Sequence, residues 1–175
     1  DTRNLAAFSS WVKSTDREQA TNATLPSPVT YEGVEYKYDS ADYRLAKFKY
    51  EVYQHAELES ALFYYLFTEL FLMVDSRAKN AFPSKLGGSK ICWLPYDMDT
   101  AIGINNEGAL VFGYELEDTD ITSTGADVYN GQQSVFWCNL RDAFSEELMA
   151  MYKNLRSNNK ISYDIIEDAF EEHQS

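Results

Sequence analysis

The stretch ALFYYLFTELFLMV, residues 61–74, constrains the fold of this chain more than any other segment. Its fourteen residues carry one charge, Glu69, and fall short of the roughly 20 that a membrane-spanning helix needs. A helix that is apolar nearly all round belongs in the middle of a core, so the rest of the chain has to wrap it. With 175 residues and 45% apolar side chains, the chain can build such a core once and is too short for two ordinary domains. We therefore expect a single domain, residues 1–175.

Periodicity on either side predicts what does the wrapping. Leu5, Phe8, Trp11 and Val12 share one helical face, and the polar, Pro-containing segment after them is a loop. Val29, Tyr31, Val34, Tyr36 and Tyr38 alternate around Glu32-Gly33, which predicts a hairpin whose Gly supplies the positive φ of a tight turn. Ser40 or Asp42 caps the next element. Helical spacing then runs over 43–74, with a break near His55.

Strand signals return at 90–96 (KICWLPY) and 109–116 (ALVFGYEL), joined by a Gly- and Asn-rich loop; the acidic segment 117–131 is an exposed loop. Ser134 is positioned to cap one long helix through Phe136, Leu140, Phe144, Leu148, Met151 and Leu155. Ser162 caps a last amphipathic helix with Ile165, Ile166, Ala169 and Phe170 turned inward. No internal repeat is present, and the predicted class is α+β with helices dominating.

Charge excludes some partners. Against 28 acidic side chains stand 15 basic ones, a net charge of −13, which repels nucleic acid and anionic lipid. The basic residues are scattered, with only a modest cluster at Arg44, Lys47 and Lys49. Cys92 and Cys138 sit in apolar contexts and read as buried reduced thiols rather than a bridge or a ligand pair. The sequence begins at Asp1 with no leader-like pattern, and we expect a processed or excised piece of a longer chain. The Asn22-Ala23-Thr24 sequon carries no weight without a sign of secretion.

The chemistry-bearing residues cluster after the apolar helix. Asp75 follows it directly, Asn80 comes five positions later, and a strand then ends in Asp97 and Asp99. Phosphoryl transfer needs such a set: one carboxylate to orient the attacking hydroxyl, and an Asn and an Asp to hold Mg²⁺ against the phosphates. Two ionised carboxylates about 5 Å apart repel by roughly 3 kcal/mol at an effective dielectric near 20, a cost that a divalent cation removes. The order helix, Asp-x4-Asn, strand, turn, strand, Asp is that of a protein-kinase catalytic core.

On these residues the sequence resembles a family. DSRAKN followed by WLPYDMDTAIG resembles the atypical kinases of the spore-coat CotH family, with an Asp-x4-Asn loop and a Trp-x-Pro-(Tyr/Trp)-Asp-x-Asp strand end; it is more distantly similar to HipA-type kinases. The resemblance covers residues 66–103. It implies the C-terminal lobe of a kinase-like fold, with Asp75 as the catalytic-loop Asp, Asn80 and Asp97 as metal ligands and Asp99 as a second acidic ligand. It further implies Mg²⁺ and ATP as cofactors, a hydroxyl-bearing protein as substrate, and a cytoplasmic or virion-associated location. A recognisable N-terminal lobe is missing: no Gly-x-Gly precedes Asp75, and Lys37, Lys47 and Lys49 are not assigned to nucleotide. Downstream pieces, DTAIGINNEGALVFGYELED and YNGQQSVFWCNLRDAF, are similar to segments of structural proteins of tailed bacteriophages. That likeness implies the alternative, a non-catalytic domain with protein partners in a larger assembly.

Plainer readings stand beside these. Asp75 suits a polar turn after a helix. A calcium loop from Asp97 fails, because Ala101 and Ile102 stand where a fifth-position Asp or Asn and a sixth-position Gly belong. The segment from Asp97 also approaches the Asp-x-Asp-x-Thr of aspartyl-phosphate phosphatases, with Thr100 one place early and the motif mid-chain rather than after the first strand. His55 and His173 are isolated, the cluster Phe63, Tyr64, Tyr65, Phe67 suits a core, and Glu115, Glu117, Asp118 and Asp120 form a solvated acidic run.

Overall fold

The computed structural model describes residues 2–25, 28–73, 76–77, 80–85, 90–98, 101–102, 104 and 134–174. These form a helix-dominated α+β fold with two small antiparallel sheets. Helix α1 (Thr2–Ser14) leads into a 3-10 turn (Arg17–Gln19), whose Asp16 side chain accepts from the Glu18 N–H. Strands β1 (Val29–Tyr31) and β2 (Val34–Tyr36) pair antiparallel. Between them Glu32 (φ 48°) and Gly33 (φ 80°) both take left-handed backbone, the turn whose twist matches the flanking strands. Helix α2 (Ala41–His55) begins at Ser40, whose hydroxyl accepts from the Tyr43 N–H at 3.1 Å; Ser40, not Asp42, is the cap.

The helical stretch expected over 43–74 is two helices, α2 and α3 (Leu58–Leu70), and the break near His55 is real. Ala56 is extended there (φ −133°, ψ 154°) because the chain pairs with Ile91: the Ile91 N–H donates to the His55 carbonyl and the Glu57 N–H to the Ile91 carbonyl. Strands β3 (Ala81–Ser84) and β4 (Cys92–Pro95) form the second ribbon. The strand expected at 109–116 and the loop at 117–131 lie outside the described residues.

Helix α3 is less enclosed than its composition predicts. Ala61, Leu62, Tyr64 and Thr68 are buried, but Phe63 is 50% exposed. Packing on β4 and on a later helix leaves a ladder of Phe63, Phe67 and Phe71, with ring centroids 6.1 and 4.9 Å apart, only partly covered.

The long helix expected from Ser134 is likewise divided, into α4 (Val135–Ala143) and α5 (Ser145–Ser157). Phe144 between them leaves helical geometry (φ −129°, ψ 30°) and is fully buried, edge-on to Tyr53. Burying a Phe is worth about 2–3 kcal/mol, more than one ideal helical residue, so the kink is the favourable choice. The 4-residue hydrogen bonds continue through it, Phe144 N–H to Leu140 and Leu148 N–H to Phe144.

Ser162 caps α6 (Tyr163–Gln174) as expected: its hydroxyl accepts from the Ile165 N–H and its carbonyl from the Ile166 N–H. Its apolar face, however, points outward: Ile165, Ile166 and Phe170 are all exposed, because no described element lies opposite them. Leu5 of α1 is also exposed.

The core lies where α1, α2, α4 and β4 meet α3. It is aromatic: Trp93 packs on Phe136 (4.6 Å) and Trp137 (5.0 Å), and Trp11 stacks on Phe48 (5.4 Å). Cys92 is buried within it and Cys138 is half-buried. Among the described residues no helix is long and apolar enough to cross a membrane.

Candidate functional site

Antiparallel pairing of β3 with β4 dictates the site's first feature. Register Ala81↔Pro95 puts the residue before β3 and those after β4 at the same end of the ribbon. Asn80 and Asp97 therefore meet there, and the Asn80 carboxamide N–H donates to the Asp97 carbonyl in a long, weak bond of 3.4 Å. Asn80 is half-buried and Asp97 exposed. Asp97 adopts left-handed backbone (φ 54°), which Asp tolerates better than most residues and which turns the chain off the strand.

The ribbon is fixed at its far end. Ile91 is pinned to the α2–α3 break, Trp93 is inserted among the core aromatics, and the Cys92 thiol donates to the Ser84 carbonyl at 3.2 Å.

The end of α3 supplies the second feature. Leu72 N–H donates to the Glu69 carbonyl (3.2 Å) and Met73 N–H to Thr68 (2.9 Å), the paired bonds of a Schellman cap. Leu72, not Gly, takes the left-handed position (φ 45°), a strained choice. Two carbonyls just beyond are clamped from the core: Tyr64 hydroxyl donates to Ser76 (2.5 Å) and Trp137 Nε1 to Arg77 (2.9 Å). Burial pushes the Tyr64 hydroxyl up to about 12, the Arg77 charge opposing, so it stays a donor. The Arg77 guanidinium is itself buried, paired with Glu69, bonded to Thr68 Oγ1 (2.9 Å) and set over the Tyr65 ring at 4.5 Å.

The two features are joined by backbone. Ile102 N–H donates to the Phe71 carbonyl at 2.6 Å, bringing the segment after Asp97 back to the end of α3. Ile102 is also left-handed (φ 61°), which is costly for a β-branched residue.

Of the four residues singled out from sequence, Asn80 and Asp97 are brought together, and Asp75 and Asp99 lie outside the described residues. Among the described residues no three His, Cys, Asp or Glu side chains gather as a metal cluster. The oxygen donors of Asn80 and Asp97 are of the kind Mg²⁺ prefers, and the Asn80 amide oxygen has no partner among the described residues.

Other candidates take structural places. Glu51 accepts from Trp11 Nε1 (3.0 Å) and the Tyr31 hydroxyl (3.3 Å), so its bonds go to the core and not to Lys47 or Lys49. Lys37 is exposed. His55 stacks on Trp11 at 4.2 Å, and burial pushes its pKa down, Glu51 opposing. The acidic run at Glu115, Glu117, Asp118 and Asp120 lies outside the described residues, as do the calcium-loop positions beyond Ile104.

Sequence reasoning missed Tyr64, Arg77 and Trp137, the groups that hold the loop. The available signal was general: a core Trp or Tyr needs an acceptor for its N–H or O–H. No protein-family model, curated protein or solved structure matches this chain.

Proposed function

We propose that this chain is a kinase-like domain of CotH type, resembling the C-terminal lobe of that fold, that moves a phosphoryl group from ATP to a hydroxyl acceptor on a protein. The observation that carries the reading is the meeting of Asn80 with Asp97, reinforced by the Phe71–Ile102 backbone bond that joins the two halves of the motif. Left-handed backbone at Leu72, Asp97 and Ile102 around one locus supports it further, since strain of this kind collects at functional sites.

Asp75 would orient the attacking hydroxyl, and Asn80, Asp97 and Asp99 would hold Mg²⁺, which would supply charge neutralisation at the transferred group. Clamping of the Ser76 and Arg77 carbonyls supplies rigidity to the loop, which a positioning mechanism requires.

The test is thermal unfolding with ATP and Mg²⁺. At ATP about ten times Kd, linkage gives about 1.4 kcal/mol, a rise of roughly 3–6 °C for a chain of this size. Asp97→Asn abolishes the rise, whereas Asp42→Asn, an exposed site on α2, keeps it. A wild-type chain that shows no shift at millimolar ATP overturns the reading.

A second reading, a non-catalytic domain of a larger assembly such as a bacteriophage virion or tail protein, is favoured by the outward apolar face of α6. It predicts no nucleotide shift at all.

A further inference from the structure

We propose that α6 is a docking helix whose apolar face seats against an apolar surface rimmed by lysines and arginines on another protein. At about 100° per residue, Ile165, Ile166, Ala169 and Phe170 fall in one arc about 140° wide. Asp164, Glu167, Asp168, Glu171 and Glu172 fall in the opposite arc, and Tyr163–Gln174 contains no Lys or Arg. The apolar residues are open: Ile165 and Ile166 are each 41% exposed and Phe170 53%.

The helix is held off the core by its own linker. Lys160 and Ile161 N–H groups both donate to the Leu155 carbonyl, Arg156 Nη1 donates to the Ile161 carbonyl (3.1 Å), and Asn159 makes the left-handed turn (φ 51°). A twelve-residue helix is marginal alone in water and gains most of its stability from packing its apolar face, which here meets no described element of the chain.

Charge selects that partner. Carboxylates stand on both sides of the apolar stripe, Glu167 about 60° beyond Phe170 and Asp168 about 60° beyond Ile165, so its complement carries cations at its rim. A second copy of this chain is a poor fit. Its groove between α3 and α5, about 570 Å³ and floored by Phe63, Met151 and Leu155, is rimmed by Glu57 and Glu59. Two α6 helices packed face to face set acidic edge against acidic edge. Anionic lipid is repelled for the same reason.

The experiment uses the full chain and, as probe, a fluorescent amphipathic helical peptide built of leucine and lysine. Binding is expected, weakened at least tenfold by Phe170→Asp and by Ile166→Asp, and several-fold by the double change Glu167→Gln, Glu171→Gln, with a shallower salt dependence in the latter. Phe63→Asp, an exposed apolar site elsewhere, leaves binding unchanged. Circular dichroism checks that the variants keep their fold, which α6 does not support. Peptide binding that Phe170→Asp does not alter, or no binding, overturns the proposal. So does dimerisation of the wild-type chain lost in Phe170→Asp, which assigns the face to a second copy. Equal α6-dependent binding to phosphatidylcholine vesicles overturns it in favour of a membrane.

Discussion

Asp39 shows how much one side chain organises here. Its carboxylate accepts from Arg44 Nε (2.7 Å) and from the Thr21 hydroxyl (2.5 Å) and N–H (3.3 Å), while its carbonyl accepts from Asn22 N–H. Arg44 is buried and reaches on to the Asp16 carbonyl, so the pair ties the loop after α1 to the start of α2. The Arg44 hydrogen bond, then those from Thr21, hold the Asp39 carboxyl down to about 2. A depressed carboxyl contributes stability that is complete above its unfolded value near pH 4 and is lost as pH falls through about 2. Asp39→Asn is therefore less stable than wild type at pH 7, and urea midpoints of the two chains converge as pH falls from 4 to 2. A gap that stays constant over that interval shows that the ionised pair is not its source. Half-buried His55, whose pKa is depressed by that burial, acts in the same direction at higher pH, adding stability above about 6.5 that fades on acidification.

Two serines at helix starts separate what a capping residue does from where it sits. Ser40 accepts from the Tyr43 N–H, whereas Ser134 occupies the same position before α4 and its hydroxyl makes no capping hydrogen bond. Ser40→Ala is expected to cost about 1 kcal/mol in chemical denaturation and Ser134→Ala only a few tenths. Equal losses refute this assignment of the caps. Both serines were legible as helix starts, as was the Glu32-Gly33 hairpin, because caps and tight turns are local chemistry. The Phe144 kink and the outward face of α6 were not, since periodicity reports which residues share a face and says nothing about what lies opposite it. A local sign of the kink did exist: Glu146 and Glu147, the acidic first turn of a new helix. Cys92–Pro95 read as a strand from its own residues, but its antiparallel pairing with Ala81–Ser84 is a relation between two segments that neither carries alone.

Across the whole molecule, the candidate site hangs on the core. Asn80 and Asp97 were legible as a pair because one short ribbon separates them, and antiparallel pairing returns its ends to one place. The clamp was not legible: Trp137 reaches the Arg77 carbonyl across 60 residues of sequence. Trp137→Phe isolates that link, since the smaller ring keeps apolar packing on Trp93, Phe136 and Tyr64 and removes only the N–H donor and some volume. Leaving the buried carbonyl without its partner is expected to cost about 1–3 kcal/mol. The loss should also be local in character. Amide exchange at Ser76 and Arg77 accelerates by more than the change in global stability explains, while the β1–β2 hairpin, which pairs within itself and packs on α2, exchanges as in wild type after the same correction. Under the kinase-like reading, the ATP-dependent rise in Tm shrinks in this variant although no candidate ligand has been altered. Uniform acceleration along the chain, with the nucleotide response intact, makes the Trp137 bond a contribution to the core alone and detaches the loop's geometry from it.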